Sequence, residues 1–282
     1  MRRLSYALLG AALVALPVAA QQQQQQKQPA PEAAQQSSPQ AEAEPSLPKQ
    51  SWSFDGPFGT YDRASVQRGF QLYSEVCSQC HSMNLLHYRD LGPNGPGGGI
   101  GYSEDEVKAI AATPFINGKQ VTDGPNDQGE MFQRPGRPYD KFISPFDNPE
   151  QAAATYGAVP PDLSLIIKAR AGGADYVYDL LVGYKDPPPG FKMGPGNMNY
   201  DEYFPGHQIA MPPPLTDDRV QYQDGTKATT DQEARDITSF LAWASEPTME
   251  VRKRTGVKVL IFLLFMTGVL YAAKRKIWLD VH

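Results

Sequence analysis

Residues 77–81 read Cys77-Ser78-Gln79-Cys80-His81, and they contain both cysteines of the 282-residue chain. The spacing C-x-x-C-H is the attachment signal of haem c. Two thiols separated by two residues can reach both vinyl groups of the porphyrin, and the adjacent imidazole then lies under the iron. The sequence therefore predicts one covalently bound haem c, with Cys77 and Cys80 as thioether residues and His81 as proximal ligand.

Other cysteine chemistries fit this motif less well. A thioredoxin-like redox pair needs a βαβ context, which the sequence does not show. A zinc site needs four ligands, and only three candidates lie close together here. A plain disulfide is possible in an exported protein. The complete pentapeptide in an exported chain favours haem.

Apolar residues at helical spacing occur in two segments, one directly before the motif and one near residue 240. Val66, Phe70 and Tyr73 form an apolar stripe that leads into the motif and predicts a helix over 63–76. Small Gly69 on this helix would allow a close crossing with a second helix, which is predicted to start with a capping box at 230–233. Ordinary core packing explains these stripes equally well. The apolar stripe of the second helix consists of Ile237, Phe240, Leu241 and Ala244.

The sixth iron ligand must come from another part of the chain. Met83 is tethered too close to His81 to reach the opposite haem face. Met211 precedes three prolines, which favour an extended chain and suit a strap across that face. His207 would produce a lower potential than a methionine ligand. The full set of candidates is Met83, Met131, Met193, Met198, Met211, His87 and His207.

Charge is distributed unevenly. Residues 51–250 carry 15 basic and 27 acidic side chains, whereas residues 251–282 carry seven basic and one acidic. An acidic body argues against a nucleic-acid partner, because phosphate binding needs a basic face. It favours a cationic partner or a well-solvated surface. The many glycines and prolines of the body predict long loops.

The chain ends predict export and membrane anchoring. Residues 1–20 resemble a signal peptide, and the Gln-, Ala- and Pro-rich residues 21–50 are predicted to be a disordered spacer. Residues 255–273 are predicted to form a transmembrane helix between basic flanks. Export then places the haem domain at 51–250 in the periplasm of a bacterium, on its inner membrane, and the tail at 274–282 in the cytoplasm.

Ordered sequence blocks extend over the rest of the body. They are Tyr102–Glu106, Asp123–Asn126, Gly129–Phe132, Arg134–Gly136, Pro160–Ser164, Ala169-Arg170, Tyr203–Gly206 and Ile209–Pro212. With the haem motif and the last helix leading into the membrane anchor, this set resembles the bacterial members of the cytochrome c1 family over residues 51–282. These proteins are the haem c subunits of the cytochrome bc1 complex, or ubiquinol–cytochrome c reductase.

The resemblance implies a mostly α, class I cytochrome c-like haem domain with long loops, plus one C-terminal transmembrane helix. It makes Met211 the sixth ligand, places Pro161 against the haem, Arg170 at a propionate and Tyr176 beside the ring. From the residues themselves, Asp162 is expected to cap a short helix that has Arg170 in its last turn.

The resemblance also implies a function. The haem would take one electron from the Rieske iron–sulfur protein and pass it to a c-type cytochrome, within a membrane complex that contains cytochrome b and is dimeric. The chain itself would carry out no substrate-bond chemistry. Three alternatives stay open: a membrane-tethered cytochrome c feeding a terminal oxidase, a haem peroxidase or thiol oxidoreductase, and a non-catalytic assembly protein.

Some positions depart from the family pattern. Thr155 and Tyr156 replace residues that usually include Asn, so the hydrogen bonds at the haem edge are expected to differ. The Gly-rich insert at 93–101 has no role that the sequence reveals. Since the chain lacks a second cysteine pair, packing alone is expected to hold the loops that enclose the haem.

Overall fold

Helices dominate the part of the chain that the structure, a computed structural model, describes: residues 46–113 and 118–279. The predicted signal peptide and most of the predicted spacer lie outside these ranges. The mostly helical prediction is confirmed. The helices are α1 (Arg63–Glu75), α2 (Glu104–Ala112), α3 (Pro149–Tyr156), α4 (Ile166–Ala169), α5 (Ala174–Val182), α6 (Thr230–Ser245) and α7 (Met249–Ile277).

Two short antiparallel strand pairs lie within the longer loops. β1 (Val121–Asp123) pairs with β2 (Phe132–Arg134). β3 (Asn199–Tyr200) pairs with β4 (Gln208–Ile209), just ahead of the predicted Met strap. The loops between helices are otherwise mostly irregular in the described ranges, as the glycine and proline content predicts.

Helix α1 leads directly into the cysteine motif. Asp62 caps its start, because one carboxylate oxygen accepts hydrogen bonds from the backbone N–H groups of Ala64 and Ser65. The helix ends at Glu75, one residue earlier than predicted. The motif therefore starts two residues after a helix whose inner face is fixed in the core.

Helices α1 and α6 cross closely, and the crossing is also ionic. The Arg68 guanidinium donates to both carboxylate oxygens of Asp236, over 2.8 and 2.9 Å. The Ser65 hydroxyl donates to the same buried carboxylate over 2.7 Å. Such a multiply bonded buried carboxylate fixes the relative position of the two helices.

The start of α6 differs from the prediction. Thr229, not Thr230, is the N-cap, and its hydroxyl accepts from the backbone N–H of Gln232. Glu233 is fully buried and accepts from the backbone N–H of Val220 over 3.3 Å. The predicted capping box at 230–233 is therefore wrong, because the glutamate points into the core.

Helix α7 contains the predicted membrane span at 255–273. It is 29 residues long and, within the described residues, it alone is long and apolar enough to cross a membrane. The apolar stretch is not buried against the rest of the chain. The helix continues to Ile277, into the predicted tail. Long side chains such as Lys274 can reach the interface from its end.

The Gly-rich insert packs on the junction between α6 and α7. A Cβ atom at Gly97 would lie 2.2 Å from the carbonyl oxygen of Pro247, and Gly97 has a φ of +69°. The Gln67 amide of α1 donates to the carbonyl of Ile100 over 3.1 Å. Glycine is thus required where the insert approaches the junction backbone closely.

The folded body begins before residue 51. The Lys49 ammonium lies 3.0 Å from the Asp175 carboxylate of α5, and the Gln50 amide donates to Asp179 over 3.4 Å. The indole N–H of Trp52 also donates to Asp175, over 2.7 Å. Residues 46–50, assigned above to the spacer, are therefore part of the body.

Candidate haem site

The cysteine motif forms one tight turn after α1. Residues 77–79 adopt a 3₁₀ helix, and the backbone N–H groups of Cys80 and His81 both donate to the carbonyl of Cys77. The two cysteines are not joined to each other in a disulfide. The turn thus presents two thiols and one imidazole together.

The His81 ring is oriented by Pro161. Its Nδ1 lies 2.8 Å from the carbonyl oxygen of Pro161. A carbonyl only accepts, so Nδ1 must carry the proton, which leaves the Nε2 lone pair for a metal. Burial lowers the pKa of His81 and so favours the neutral, metal-binding form. Pro161 therefore has a defined contact with the site, through its backbone.

Residues 81–85 and 160–164 are joined by a ladder of hydrogen bonds, here named the proximal clamp. The backbone N–H of Leu163 donates to the carbonyl of Ser82 over 2.9 Å. The hydroxyl of Ser82 donates to Asp162 over 2.8 Å, and the backbone N–H of Leu85 donates to the hydroxyl of Ser164 over 3.1 Å. The clamp holds the Pro161 carbonyl in place beneath the imidazole.

Asp162 is the centre of the proximal clamp. Besides Ser82, the backbone N–H groups of Asn84 and Ser164 donate to its carboxylate. Burial alone would raise the pKa of Asp162, but these hydrogen bonds outweigh it and lower the pKa below its usual value. The prediction that Asp162 caps α4 is wrong, since Leu165 occupies that position. The carboxylate bonds instead to a segment 80 residues away.

Arg170 and Tyr176 lie next to each other. Arg170 is exposed and directly follows α4, and Gly172 and Gly173 come next with positive φ. Tyr176 is buried on α5. Burial raises the pKa of the Tyr176 phenol, while a hydrogen bond and the charge of Arg170 oppose that rise. The structure thus brings the Arg170 guanidinium to the hydroxyl of Tyr176.

The Met211 backbone is held by two side chains. The hydroxyl of Tyr184 donates to the Met211 carbonyl over 3.1 Å, and the amide of Asn199 donates to it over 3.3 Å. Met211 is half-buried. A cavity of about 470 Å³ is lined by Tyr184, Asn199, Pro213 and Leu215, among others. The strap therefore has a fixed position along its backbone.

The competing sixth-ligand candidates have different surroundings. Met83 is fully buried in the core, and Met131 is 60 % exposed on the surface. The His207 ring stacks on Tyr200 with centroids 5.7 Å apart. Met193 and Met198 are half-buried. The choice of Met211 stays a prediction, supported by the bonds that fix its backbone.

Thr155 and Tyr156, which differ from the family pattern, place an aromatic ring beside the cysteine motif. The Tyr156 phenol hydrogen-bonds the Cys80 side chain, and this contact is the first cause of its raised pKa. Tyr156 also packs edge-on against Phe146, with centroids 5.7 Å apart. Thr155 bonds only within α3, to the carbonyl of Gln151. Of these two residues, Tyr156 is therefore the one that contacts the cysteine motif.

The donor set fits a c-type haem. The two cysteines are not joined in a disulfide, and Nδ1 of His81 is bonded to a carbonyl, which leaves Nε2 for the iron. The Met211 thioether belongs to a residue whose backbone carbonyl is held by a hydrogen bond. Sequence reasoning missed Ser82, Tyr184 and Asn199. Each acts through a hydrogen bond to a distant segment, for which one sequence has no local signal.

Comparison with known proteins identifies the family. A sequence model of the Cytochrome C1 family matches residues 52–281. Cytochrome c1 of Rhodospirillum rubrum is 47% identical over 252 residues, which are 84% of this chain and 89% of the relative. Cytochrome c1 1, heme protein, mitochondrial, of Arabidopsis thaliana is 49% identical over 231 residues, 82% of this chain and 71% of the relative.

A longer relative also matches. Cytochrome b/c1 of Bradyrhizobium diazoefficiens is 44% identical over 254 residues, which are 83% of this chain. The match spans 36% of that relative's length. The family match covers most of the chain and includes the motif, the proximal clamp and α7. The chain therefore belongs to the cytochrome c1 family.

Proposed function

We propose that this chain takes one electron from a Rieske iron–sulfur protein and passes it to a c-type cytochrome. As a member of the cytochrome c1 family, it is the haem-carrying electron-transfer subunit of the cytochrome bc1 complex and carries covalently bound haem c. Family membership does not favour a tethered cytochrome that feeds a terminal oxidase. Bound haem c supplies the one-electron iron couple.

The observation that carries the site assignment is the contact between His81 and Pro161. The imidazole Nδ1 donates to the Pro161 carbonyl over 2.8 Å, on the same turn as both cysteines. We assign Cys77 and Cys80 to the two thioether bonds and His81 Nε2 to the iron. The proximal clamp keeps the imidazole in one orientation and one tautomer.

The remaining site residues bind the iron or surround the haem in this proposal. Met211 supplies the sixth ligand, with its backbone held by Tyr184 and Asn199. Arg170 is exposed and cationic, so it can offer its guanidinium fork to a propionate. Tyr176 is buried beside Arg170 and forms part of the wall.

The partners follow from the family and from the anchor. The chain is part of the bc1 complex, and a relative named for both cytochrome b and cytochrome c1 supports cytochrome b as its neighbour. We propose a dimeric complex in the bacterial inner membrane, with the haem domain on the periplasmic side and α7 as the single span. The complex would be a quinol–cytochrome-c reductase, and this chain would make and break no substrate bond.

The acidic body supports a cationic acceptor. Residues 51–250 carry 27 acidic and 15 basic side chains. Such a surface raises the association rate of a cationic protein by electrostatic steering, and salt screens this attraction. The rate of electron delivery to a cationic cytochrome should fall as ionic strength rises. A rate independent of salt would show that the acidic surface serves solubility alone.

Purification of the complex from membranes tests the proposal. A haem-stained gel should show a covalent haem band for this chain, and affinity capture of the chain should recover cytochrome b. The matched control is a Cys77→Ala, Cys80→Ala double variant, which should lose the haem stain. Capture of a terminal oxidase without cytochrome b would contradict the proposal, and so would a wild-type chain without covalent haem.

A further inference from the structure

Phe58 is conspicuously exposed for a large aromatic residue. Its side chain is 80% exposed, more than any other large hydrophobic residue in the described part of the chain, α7 included. It lies in a loop, Ser53–Gly59, that precedes α1. Single exposed apolar side chains are common on protein surfaces, so the place of Phe58 in the fold decides whether it has a partner.

The loop that carries Phe58 is well defined. Its ends are joined by a hydrogen bond from the backbone N–H of Thr60 to the carbonyl of Ser53, over 2.9 Å. The Asp55 carboxylate accepts from the backbone N–H of Trp52 over 3.0 Å. A Cβ atom at Gly59 would lie 2.0 Å from the Asp55 carbonyl, so the loop closes tightly on itself. Phe58 therefore projects from a compact turn.

The loop is fastened to the first turns of α7. The Lys253 ammonium donates to the carbonyl oxygens of Phe54 and Gly59, over 2.7 and 3.1 Å. Nearby, the Glu250 carboxylate accepts from the backbone N–H of Tyr61 over 2.9 Å. Lys253 belongs to the basic flank that precedes the predicted span. Its ammonium bonds to loop carbonyls on both sides of Phe58.

The position along the membrane axis follows from helix geometry. The predicted span of α7 begins at Thr255, two residues after Lys253, which is about 3 Å along a helix. The polar interface of a bilayer is about 5–8 Å thick on each side. Lys253 and the bonded loop thus lie at about the level of the lipid headgroups.

We propose that Phe58 inserts into the lipid interface as a second membrane contact of this chain. Phenylalanine is one of the side chains that interfacial segments bury at the boundary between headgroups and acyl chains, and the exposed Arg254, which follows Lys253 in sequence, suits anionic headgroups. Two contacts, α7 and Phe58, restrain the tilt of the body relative to the bilayer. The inference rests on α7 being the membrane span of the proposed function.

Site-directed spin labelling tests this contact. With Cys77 and Cys80 bound to haem, Phe58→Cys introduces the one reactive thiol of the full-length chain. The matched control is Lys227→Cys, at an exposed residue just before α6. Helix α6 has sixteen residues, so its first residue lies about 22 Å from its last residue, which is the end near α7. Both labelled chains are placed in phosphatidylcholine and phosphatidylglycerol vesicles, and collisions with oxygen and with a water-soluble nickel chelate are measured.

The ratio of oxygen to nickel collisions should be severalfold higher for the label at 58 than for the label at 227. Equal ratios in a membrane-inserted, haem-stained chain would overturn the inference and leave the proposed function intact. A label at 58 that is water-exposed in vesicles but shielded in the complete complex would also overturn it, in favour of a protein neighbour.

Discussion

Asp236 lies directly against Gly69 where α6 crosses α1. A Cβ atom added to Gly69 would be 2.1 Å from the carbonyl oxygen of Asp236 and 2.6 Å from the Cβ of Phe240. No side chain fits between the helices at this point. Since α1 leads directly into the cysteine motif, the crossing also sets where the two thiols and His81 are presented.

Gly69→Ala should destabilise the body although alanine is the better helix former. Helix propensity alone would add about 1 kcal/mol of stability. Overpacking against the Asp236 backbone should cost about 1–3 kcal/mol, and no flexible side chain can yield. Denaturant unfolding of the detergent-solubilised protein measures the net loss. The control is Gly256→Ala on α7, where nothing lies within 4 Å of the added Cβ. Equal stability changes in the two variants would contradict the close crossing.

Asp162→Ala should loosen the proximal clamp. The change removes acceptors for Ser82, Asn84 and Ser164. We expect a loss of about 1–3 kcal/mol in unfolding free energy, because partly buried donors lose a charged hydrogen-bond partner. Haem should stay attached, since neither thiol is touched. The control is Asp127→Ala at an exposed aspartate, which should be near neutral.

Acid unfolding supplies an independent test of the same carboxylate. The folded-state pKa of Asp162 is lowered, so its stabilising effect is present above the unfolded pKa and is lost as pH falls through the folded pKa. Stability of the wild type should therefore fall more steeply than that of Asp162→Ala below about pH 4. Parallel acid curves would show that the carboxylate is not stabilised by the clamp.

Glu233→Gln should stabilise the body above neutral pH. Burial raises the pKa of Glu233 to about 7, and the backbone N–H groups of Val220 and Arg219 oppose this rise. One carboxylate oxygen is buried without a partner among the described residues. With the folded pKa raised, the favourable contribution is complete below the unfolded pKa and is lost as pH rises through about 7.

The variant should thus gain about 1–3 kcal/mol at pH 8 relative to wild type and show a flatter curve between pH 5 and 8. Denaturant midpoints over that pH range measure it. The control is Glu150→Gln, which is exposed and should leave the pH dependence unchanged. A loss of stability at pH 8 would show that ionised Glu233 is compensated in the core.

Tyr184→Phe should weaken the positioning of Met211 without disturbing haem attachment. The change deletes only the hydroxyl that donates to the Met211 carbonyl over 3.1 Å. A less constrained thioether should lower the reduction potential, by less than deletion of the thioether itself. Redox titration of Tyr184→Phe and of Met211→Leu measures the two shifts in reduction potential. The control is Phe191→Leu, which does not touch the bond to the Met211 carbonyl. An equal shift in the control would indicate a general loosening of the loop.

Local features of the fold were predictable from sequence. The stripe through Val66 and Phe70 predicts α1 to within one residue, because helical periodicity is a property of residues close together in the chain. Gly69 was likewise expected at a helix crossing, and the structure confirms the crossing partner as α6. The pentapeptide motif is equally local, so both cysteines and the imidazole lie on one turn of the chain.

Features that depend on distant contacts were not predictable. Asp162 has a helix-cap pattern, yet its carboxylate bonds to Ser82 because the fold brings the two segments together. Thr229 and Thr230 are equally good caps in sequence, and only burial of Glu233 decides between them. The contact between Gly97 and Pro247 joins positions 150 residues apart, for which composition has no signal.

Redox titration of the membrane-bound protein with its Met211→Leu variant tests the central claim most directly. Leucine keeps the volume of the side chain but cannot bind iron, and a methionine ligand raises the potential of a histidine-ligated haem. We predict that the variant keeps covalent haem on a stained gel and that its potential falls markedly below that of wild type. An unchanged potential would show that another residue is the sixth ligand and would contradict this account of the site.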